Sequence, residues 1–141
     1  MTAPFTGYRT GLRPEWIDYN GHLNDSAYAV ICSQANELFL DSLDLGAAYR
    51  ARTGCALYTV EANLRYLAEV GPDAELTGES TIAGLDAKRL RVQTSLLDSG
   101  RTRVFTGEYL YLHVDGSAGR VAPFPAEVAA RLAVVGPSAA G

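Results

Sequence analysis

Several residue types and patterns on which common protein activities depend are scarce or absent in this sequence. Histidine and cysteine occur only twice each, so a metal site built from several of these residues is not expected. The glycine- and serine-containing signatures of P-loop proteins, dinucleotide-binding domains and serine hydrolases are also absent. Any chemistry must therefore rest mainly on carboxylates, backbone amides and one histidine.

Basic residues are neither abundant nor clustered. Lysine and arginine total 12 against 16 acidic residues, for a net charge of −4, so a nucleic-acid-binding surface is not expected. No apolar run approaches the roughly 20 residues that a membrane-spanning helix needs, and the first residues lack the pattern of a secretory signal. Cys32 and Cys55 are expected to be reduced. These features favour a cytoplasmic protein that binds neither nucleic acid nor a membrane.

The composition is that of one folded domain. The chain has 141 residues, of which 48% are hydrophobic and 20% charged, and these values are typical of globular proteins. A chain of this length buries enough surface to fold without a disulfide or a metal. We predict a single domain over 1–135 and a flexible tail of small residues over 136–141.

Hydrophobic periodicity predicts one long helix. From Asp25 onward, apolar and small residues recur at spacings of three and four, which produces one buried face on a helix over 25–44. Asn24 or Asp25 can cap its N-terminus, and Gly46 is a plausible stop. Two short helices are also predicted, over 47–52 and 125–132.

Most of the remaining chain alternates between apolar and polar residues with the period of two that is typical of strands. Short turns separate the last four strands, so we predict an antiparallel meander with the long helix covering one face. The predicted strands lie over 8–13, 57–67, 75–83, 88–97 and 103–114. The predicted apolar faces of the second and the last strand are Tyr58, Val60, Ala62, Leu64 and Tyr66, and Val104, Leu110, Leu112 and Val114.

The most concentrated polar segment lies between the first strand and the long helix. It holds Asp18, Asn20, His22 and Asn24 within seven residues, and Gly21 allows a tight bend. The helix that follows exposes free N–H groups and a positive dipole end, which can stabilise an oxyanion. A carboxylate facing that end could attack a carbonyl or deprotonate a water. Ordinary capping and turn formation is the alternative role.

The segment Asp18-Tyr19-Asn20-Gly21-His22-Leu23-Asn24, with Tyr28 four residues on, resembles the signature of hotdog-fold acyl-CoA thioesterases of the 4-hydroxybenzoyl-CoA thioesterase-like group. That fold, one long helix wrapped by a five-stranded antiparallel sheet, is α+β and agrees with the predicted element order. Further segments are similar to the betainyl-CoA thioesterases of bacterial carnitine breakdown: 57–61, 65–67, 85–90, 112–115 and 122–125. The resemblance implies hydrolysis of an acyl-CoA thioester, with betainyl-CoA, which yields glycine betaine, as the favoured substrate.

The resemblance also implies roles for individual residues. Asp18 would be the catalytic carboxylate, as nucleophile or as general base, and amides around Asn24 and Asp25 would form the oxyanion hole. Gly21 and His22 would shape the loop beside the thioester, and Asn24 would hold that loop or contact substrate. Active sites of this family lie between two subunits, so a homodimer or a dimer of dimers is implied. No metal or bound cofactor is implied, because CoA enters as part of the substrate.

The quaternary ammonium of a betainyl group calls for aromatic faces and a carboxylate. Trp16 and Tyr19 flank Asp18 and are the favoured aromatic contacts. Glu61 either meets the cation in a dimer cleft or is a solvated strand residue paired with Arg65 or a neighbour. The other candidates are Tyr28, Tyr58, Tyr66, Tyr109, Tyr111 and Glu108. Of these, the two tyrosines of the last strand are more often packing residues.

The densest basic group, Lys88, Arg89 and Arg91, is predicted to bind the phosphates of CoA, and a solvated strand face is the alternative. His113 is interpreted as a hydrogen-bonded structural residue. Two other functions stay open at this point. One is a thioesterase for short, aromatic or fatty acyl-CoA, and the other is a protein that binds CoA esters without hydrolysing them.

Overall fold

The computed structural model describes residues 3–137, which form one curled antiparallel sheet and three helices. The α+β class and the long helix are as predicted, and most predicted boundaries are correct to within three residues. The two-residue strand β6 was not predicted. In chain order the elements are β1 (Phe5–Gly11), α1 (Asp25–Ser42), α2 (Ala47–Thr53), β2 (Cys55–Tyr66), β3 (Glu75–Leu85), β4 (Arg89–Leu97), β5 (Arg103–Asp115), β6 (Arg120–Val121) and α3 (Ala126–Val135).

The order of strands in the sheet shows that the predicted meander is only partly right. The order is β1-β3-β4-β5-β2, so β2 pairs with β5 at the far edge instead of with β3. The connection over 67–74 does not turn back but crosses the end of the sheet under the start of α1. The Val70 carbonyl accepts the Leu23 N–H at 2.8 Å, and the Ala68 carbonyl accepts the Tyr28 hydroxyl at 2.9 Å. These bonds carry the chain past β5 and β4, a distance of about 14 Å for three strand spacings.

Helix α1 lies on the concave face of the sheet where the strands carry glycine. A Cβ built on Gly107 of β5 would lie 2.9 Å from Cys32 Sγ, and one built on Gly78 of β3 would lie 3.0 Å from the Ala35 Cβ. Glycine at both positions therefore allows the helix to approach the sheet closely. Apolar residues of α1, β3 and β4 complete this core: Ile31, Phe39, Leu76, Ile82, Leu90, Val92 and Leu96.

The face of β5 that meets α1 is its aromatic face, and the predicted apolar side of this strand, Val104, Leu110, Leu112 and Val114, is the opposite one. The Tyr28 ring stacks on Phe105 with centroids 5.3 Å apart, and Asn36 Nδ2 donates to the Tyr111 hydroxyl at 3.1 Å. Aromatic rings bury large areas, and their hydroxyl groups can be satisfied by partners on the helix. Tyr109 and Tyr111 are buried, which confirms their interpretation as packing residues.

His113 is a structural residue, as predicted. Its side chain is buried, with Nδ1 at 2.9 Å from the Ala122 carbonyl and Nε2 at 2.8 Å from the Tyr49 hydroxyl. Since a carbonyl only accepts, Nδ1 carries the hydrogen and Nε2 accepts the hydrogen of Tyr49. The imidazole therefore joins the end of β5 to α2 and to the segment after β6.

Strand β2 also departs from its predicted face. A bulge between Thr59 and Glu61 shifts the alternation, so Ala62, Leu64 and Tyr66 lie on the α1 side while Tyr58 lies on the convex side. Among residues 3–137, β2 pairs only with β5, which leaves its other edge open. Several large side chains along and just beyond this edge are about half exposed: Tyr58, Val60, Tyr66 and Leu67.

Both cysteines are free thiols, as predicted. Cys32 is buried in α1 and Cys55 is half-buried in β2, and burial raises the pKa of Cys32 to about 12. Of the predicted tail over 136–141, residues 138–141 lie outside the described residues, while Pro137 forms a bridge with Ile82. None of the helices described is both long enough and apolar enough to cross a membrane.

We expect Gly107→Ala to lower the free energy of unfolding by about 1–3 kcal/mol, because the added methyl group would overlap Cys32 Sγ. Urea unfolding followed by circular dichroism measures this. Gly71→Ala is the matched control, since nothing lies within 4 Å of a Cβ built there. Equal effects of the two substitutions would show that α1 does not pack against β5 as described.

Candidate active site

The polar segment before α1 folds into a tight bend. The Asp18 N–H donates to the His22 carbonyl at 2.9 Å, and the Gly21 N–H donates to the Asp18 carbonyl at 3.0 Å. Gly21 has a φ of +78°, a conformation that side chains with a Cβ rarely adopt. The bend is therefore closed by backbone bonds, and glycine at position 21 permits it.

The Asp18 carboxylate is held by one oxygen only. Oδ1 accepts the N–H of Asn20 at 2.9 Å and that of His22 at 3.3 Å. Oδ2 has no hydrogen-bond partner among residues 3–137. The side chain is half-buried and lines a crevice, so one oxygen is anchored while the other can accept a proton or attack a carbonyl.

The amides at the start of α1 are nearly all engaged. The Asn24 N–H donates to the Trp16 carbonyl at 2.7 Å, and the Asn24 side chain caps the helix by accepting the Ser26 N–H at 3.0 Å. Ala27 and Tyr28 donate to the Asn24 carbonyl. No acceptor for the Asp25 N–H is present in the described part of the chain. Of the two amides predicted as oxyanion donors, the one of Asn24 is therefore occupied and the one of Asp25 is open.

The crevice beside Asp18 has a volume of about 610 Å³ and is acidic. Three carboxylates line it, from Asp18, Asp25 and Glu69, and the only basic group among its lining residues is His22. His22 Nε2 lies 3.4 Å from a Glu69 carboxylate oxygen. The remaining lining residues are Asn20, Leu23 and Tyr28. This charge favours a cationic group over a neutral or anionic one.

Tyr28 lines the crevice and forms an aromatic wall together with Tyr66 and Phe105, which pack behind it. Tyr66 packs edge-on against Tyr28 and Phe105, with centroids 5.3 and 5.1 Å apart, and its hydroxyl donates to the Asp25 carbonyl at 3.2 Å. Burial raises the pKa of the Tyr28 hydroxyl, and the charge of Glu69 acts in the same direction. Tyr28 therefore stays protonated as the donor to Ala68.

Glu69 was missed by the sequence prediction, and Tyr66 was named only as a general aromatic candidate. Both residues come from the end of β2 and the connection after it, more than 40 positions from Asp18 along the chain. No local pattern marks them, because the hydrogen bond between Leu23 and Val70 is what brings this connection to the bend. The strand order had to be known before either residue could be assigned.

The two aromatic residues favoured for substrate contact are placed differently from Tyr28. Tyr19 is 98% exposed at the tip of the bend. Trp16 is half-buried and packs on the core, with the Arg13 guanidinium 5.4 Å from its ring centroid. Neither lines the crevice. Of Trp16, Tyr19 and Tyr28, only Tyr28 therefore lines the crevice of its own protomer.

Several other predicted site residues lie on the convex face of the sheet, away from Asp18. Arg89 and Arg91 alternate with buried residues of β4, and Arg91 contacts Glu108 at 3.2 Å. Glu61 lines the same convex depression as Arg91, and Tyr58 pairs with a residue opposite Arg89. From Phe105 in the aromatic wall to Leu112 beside Arg89, β5 runs seven residues, or about 23 Å.

The charged groups of this distant region differ in how they are paired. Arg89 contacts Asp86 at 2.7 Å, so two of the three predicted CoA-binding cations, Arg89 and Arg91, already have acidic partners. Among the described residues, Lys88 makes no ion pair. Glu61 makes none either, so its predicted pairing with Arg65 does not occur within a protomer. Nowhere in residues 3–137 do three histidine, cysteine or acidic side chains come together as a metal site would need.

Comparison with known proteins identifies the family. A family model described as the thioesterase-like superfamily matches residues 12–132. The chain belongs to this superfamily. A solved Staphylococcus aureus protein in complex with CoA aligns over 96% of this chain and 86% of its own, with 26% identity and a TM-score of 0.88. The hotdog architecture implied by the Asp18–Asn24 motif is thereby confirmed.

Two curated relatives are similar over most of this chain. A betainyl-CoA thioesterase of Pseudomonas aeruginosa is 35% identical over 133 residues, which are 94% of this chain and 84% of the relative. An L-carnitine dehydrogenase/betainyl-CoA thioesterase of Agrobacterium fabrum is 42% identical over 110 residues, or 78% of this chain. The match covers 22% of that longer protein.

We expect Gly21→Ala to lower the free energy of unfolding by about 1 kcal/mol, because alanine resists the positive φ required at this position. Gly21→Asn is the matched comparison and is expected to cost less, since asparagine tolerates this conformation. Chemical denaturation of both variants measures the difference. Similar costs for the two would show that the strain does not arise from φ, because open space surrounds a Cβ at this position.

Proposed function

We propose that this protein hydrolyses acyl-CoA thioesters to the free acid and CoA, with betainyl-CoA as its favoured substrate. One observation carries the proposal: Asp18 and Asp25 line the same crevice, and among residues 3–137 neither Asp18 Oδ2 nor the Asp25 N–H has a hydrogen-bond partner. Acyl transfer needs these two parts, a base or nucleophile and an oxyanion donor. Membership of the thioesterase-like superfamily, and relatives named betainyl-CoA thioesterases, support the same reaction.

Two routes for the reaction agree with this arrangement. In one, Asp18 Oδ2 attacks the thioester carbonyl, the C–S bond breaks, and water then hydrolyses the mixed anhydride. In the other, Asp18 removes a proton from a water that attacks the carbonyl directly. In both routes the carbonyl oxygen becomes negative and is stabilised by the Asp25 N–H and the positive end of the α1 dipole. The CoA thiolate leaves and takes up a proton.

The charge of the crevice supports a cationic acyl group. Asp18, Asp25 and Glu69 together create a negative potential, which attracts a quaternary ammonium and disfavours an anionic acyl chain. No metal or resident cofactor is needed in this scheme, since CoA is part of the substrate.

A homodimer is the second part of the proposal. The open edge of β2 is twelve residues long and carries exposed Tyr58, Val60 and Tyr66, a pattern that natural proteins usually cover. The other sheet edge, β1, is shorter and interrupted by an irregularity after Phe5. Antiparallel pairing of β2 with its copy would bury the exposed side chains and join the two sheets.

A two-fold axis at Asn63 gives this pairing a definite register. It sets Glu61 opposite the partner's Arg65, and both groups lack an ion-pair partner within the described protomer. It also sets Tyr66, whose hydroxyl donates to the carbonyl of Asp25 in the crevice, opposite Val60 of the partner. Within each protomer, the basic group around Lys88 lies beside Tyr58, at the end of β2 far from Tyr66. In the dimer this end of the partner would lie near the Asp18 crevice, so the partner would supply cations for the CoA phosphates. The predicted dimer of dimers would need contacts outside this edge.

We expect Asp18→Asn to lower kcat by a factor of about 10²–10⁴ while the variant still binds CoA esters, because the amide is neither a base nor a nucleophile. Release of free thiol measures turnover, and isothermal titration calorimetry measures binding. Asp73→Asn removes the same charge from an exposed turn and serves as the control. Turnover of Asp18→Asn within twofold of the wild type would contradict the assigned role.

The substrate is tested with a panel of betainyl-, acetyl-, benzoyl- and octanoyl-CoA in the same thiol-release assay. Betainyl-CoA is expected to have the highest kcat/KM. A preference for one of the uncharged esters would support thioesterase activity but would contradict the proposal that betainyl-CoA is the favoured substrate. Absence of turnover with every ester, together with measurable binding, would favour a non-catalytic CoA-ester-binding protein.

We expect Glu61→Arg and Arg65→Glu each to weaken the dimer roughly tenfold, since the two-fold axis turns one reversed charge into two like-charge contacts. The double substitution should restore dimer affinity by re-forming both pairs in the opposite sense. Sedimentation equilibrium measures the shift between 15.1 kDa and twice that mass. Failure of the double variant to recover would exclude this register.

A further inference from the structure

A second cleft of about 420 Å³ lies between α1, the first half of β2 and α2. Its apolar wall includes Leu40, Leu45 and Leu57, and its polar groups include Glu37 and Tyr111. Three of its lining residues, Ala56, Leu57 and Thr59, belong to β2, which is an edge strand. The cleft is separate from the Asp18 crevice of the same protomer, with which it shares no lining residue.

A buried hydrogen-bond chain fixes the polar end of this cleft. Ser80 and Thr94 hydroxyls lie 2.7 Å apart, Thr94 donates to Asn36 Oδ1 at 2.5 Å, and Asn36 Nδ2 donates to the Tyr111 hydroxyl at 3.1 Å. Burial raises the pKa of Tyr111 to about 12, and the neighbouring Glu37 carboxylate acts in the same direction. The Tyr111 hydroxyl is thus a fixed, neutral group beside that carboxylate.

Glu37 places an exposed carboxylate on the wall of this cleft. It makes no ion pair with any residue among 3–137. The cation that also lines the cleft, Arg50, lies at the α2 end with its guanidinium near the turn at Gly116. The cleft therefore combines an apolar wall with a carboxylate that lies away from the guanidinium end, and this carboxylate can attract a trimethylammonium group.

The β2 pairing proposed above sets this cleft beside the crevice of the other protomer. Thr59, which lines the cleft, would lie next to Val60, and this register sets Val60 opposite the partner's Tyr66. Both openings face the α1 side of the joined sheet, because Tyr66 and Thr59 are on that side of β2. A thioester held at one Asp18 would then extend its acyl group into the cleft of the second protomer.

We propose that this cleft is the acyl-group site of the thioesterase, and that Glu37 selects a cationic acyl group on the thioester held by the partner's Asp18. This inference rests on the proposed function and names the residue that sets its substrate preference. Glu37 is a specificity-determining residue here and takes no part in bond breaking.

The test compares betainyl-CoA with 3,3-dimethylbutyryl-CoA, in which a carbon atom replaces the positively charged nitrogen at nearly the same size. We expect Glu37→Gln to lower the ratio of the two kcat/KM values about tenfold, since only the ester that carries a charge loses an attraction. Glu127→Gln, in exposed α3, is the matched control and should leave the ratio unchanged. Thiol release provides both rates.

Each outcome of this comparison decides one proposal. An unchanged ratio in Glu37→Gln, with normal turnover by the wild type, would overturn the Glu37 assignment and leave the thioesterase intact. If Glu61→Gln lowers the ratio and Glu37→Gln does not, the cation is bound on the convex face, and the Glu37 assignment is likewise overturned. Absence of turnover with either ester by the wild type would reject the proposed function, and the acyl-site assignment with it.

Mixed dimers test whether the two halves of the site come from different protomers. The test uses a dimer of one Asp18→Asn chain and one Glu37→Gln chain, purified with two different tags. Such a dimer retains one site with both Asp18 and Glu37 only if each site takes these two residues from different protomers. We expect about half the wild-type rate and the full wild-type ratio. A mixed dimer that keeps the lowered ratio of Glu37→Gln would show that each site lies within one protomer.

Discussion

The hydrogen bond from the Asn24 N–H to the Trp16 carbonyl, 2.7 Å long, is the contact on which the candidate site depends. It closes the Asp18 bend against the first turn of α1, while the Asn24 side chain caps the same helix through Ser26. One residue thus determines both where the helix begins and where the carboxylate lies. The amide of Asp25 has no acceptor within residues 3–137, because the first N–H groups of a helix lack an intrahelical partner.

A second constraint is the position of β2 at the edge of the sheet. Carrying the connection over 67–74 under α1 delivers Glu69 to the Asp18 crevice and leaves one edge of β2 unpaired. The same crossing therefore completes the crevice and exposes the edge that we propose for dimerisation. In that dimer the groups separated by about 23 Å along β5 within a protomer would meet across the interface.

Much of the fold could be predicted from local patterns. The start of α1 follows from Asn24 and the spacing of the apolar residues, and alternation along β4 places Leu90, Val92 and Leu96 on one face, which is buried. The strand order could not be predicted in this way, because short turns favour neighbouring strands and the Leu23–Val70 bond is not visible in either segment alone. The bulge after Thr59 likewise reversed the outward side of β2 for half its length.

The sequence by itself determined the Asp18–Asn24 motif and its attachment to a long helix, because capping, glycine-dependent bending and periodicity act over a few residues. The resemblance of that motif to a known signature indicated the superfamily. Only the tertiary structure decided which groups surround Asp18. In the fold the Asn24 amide is already hydrogen-bonded, Glu69 lines the crevice and Tyr66 contacts Asp25. Glu61 and Arg91 lie on the opposite face of the sheet. Those outcomes depend on strand order and register, which are set by contacts between residues far apart in the chain.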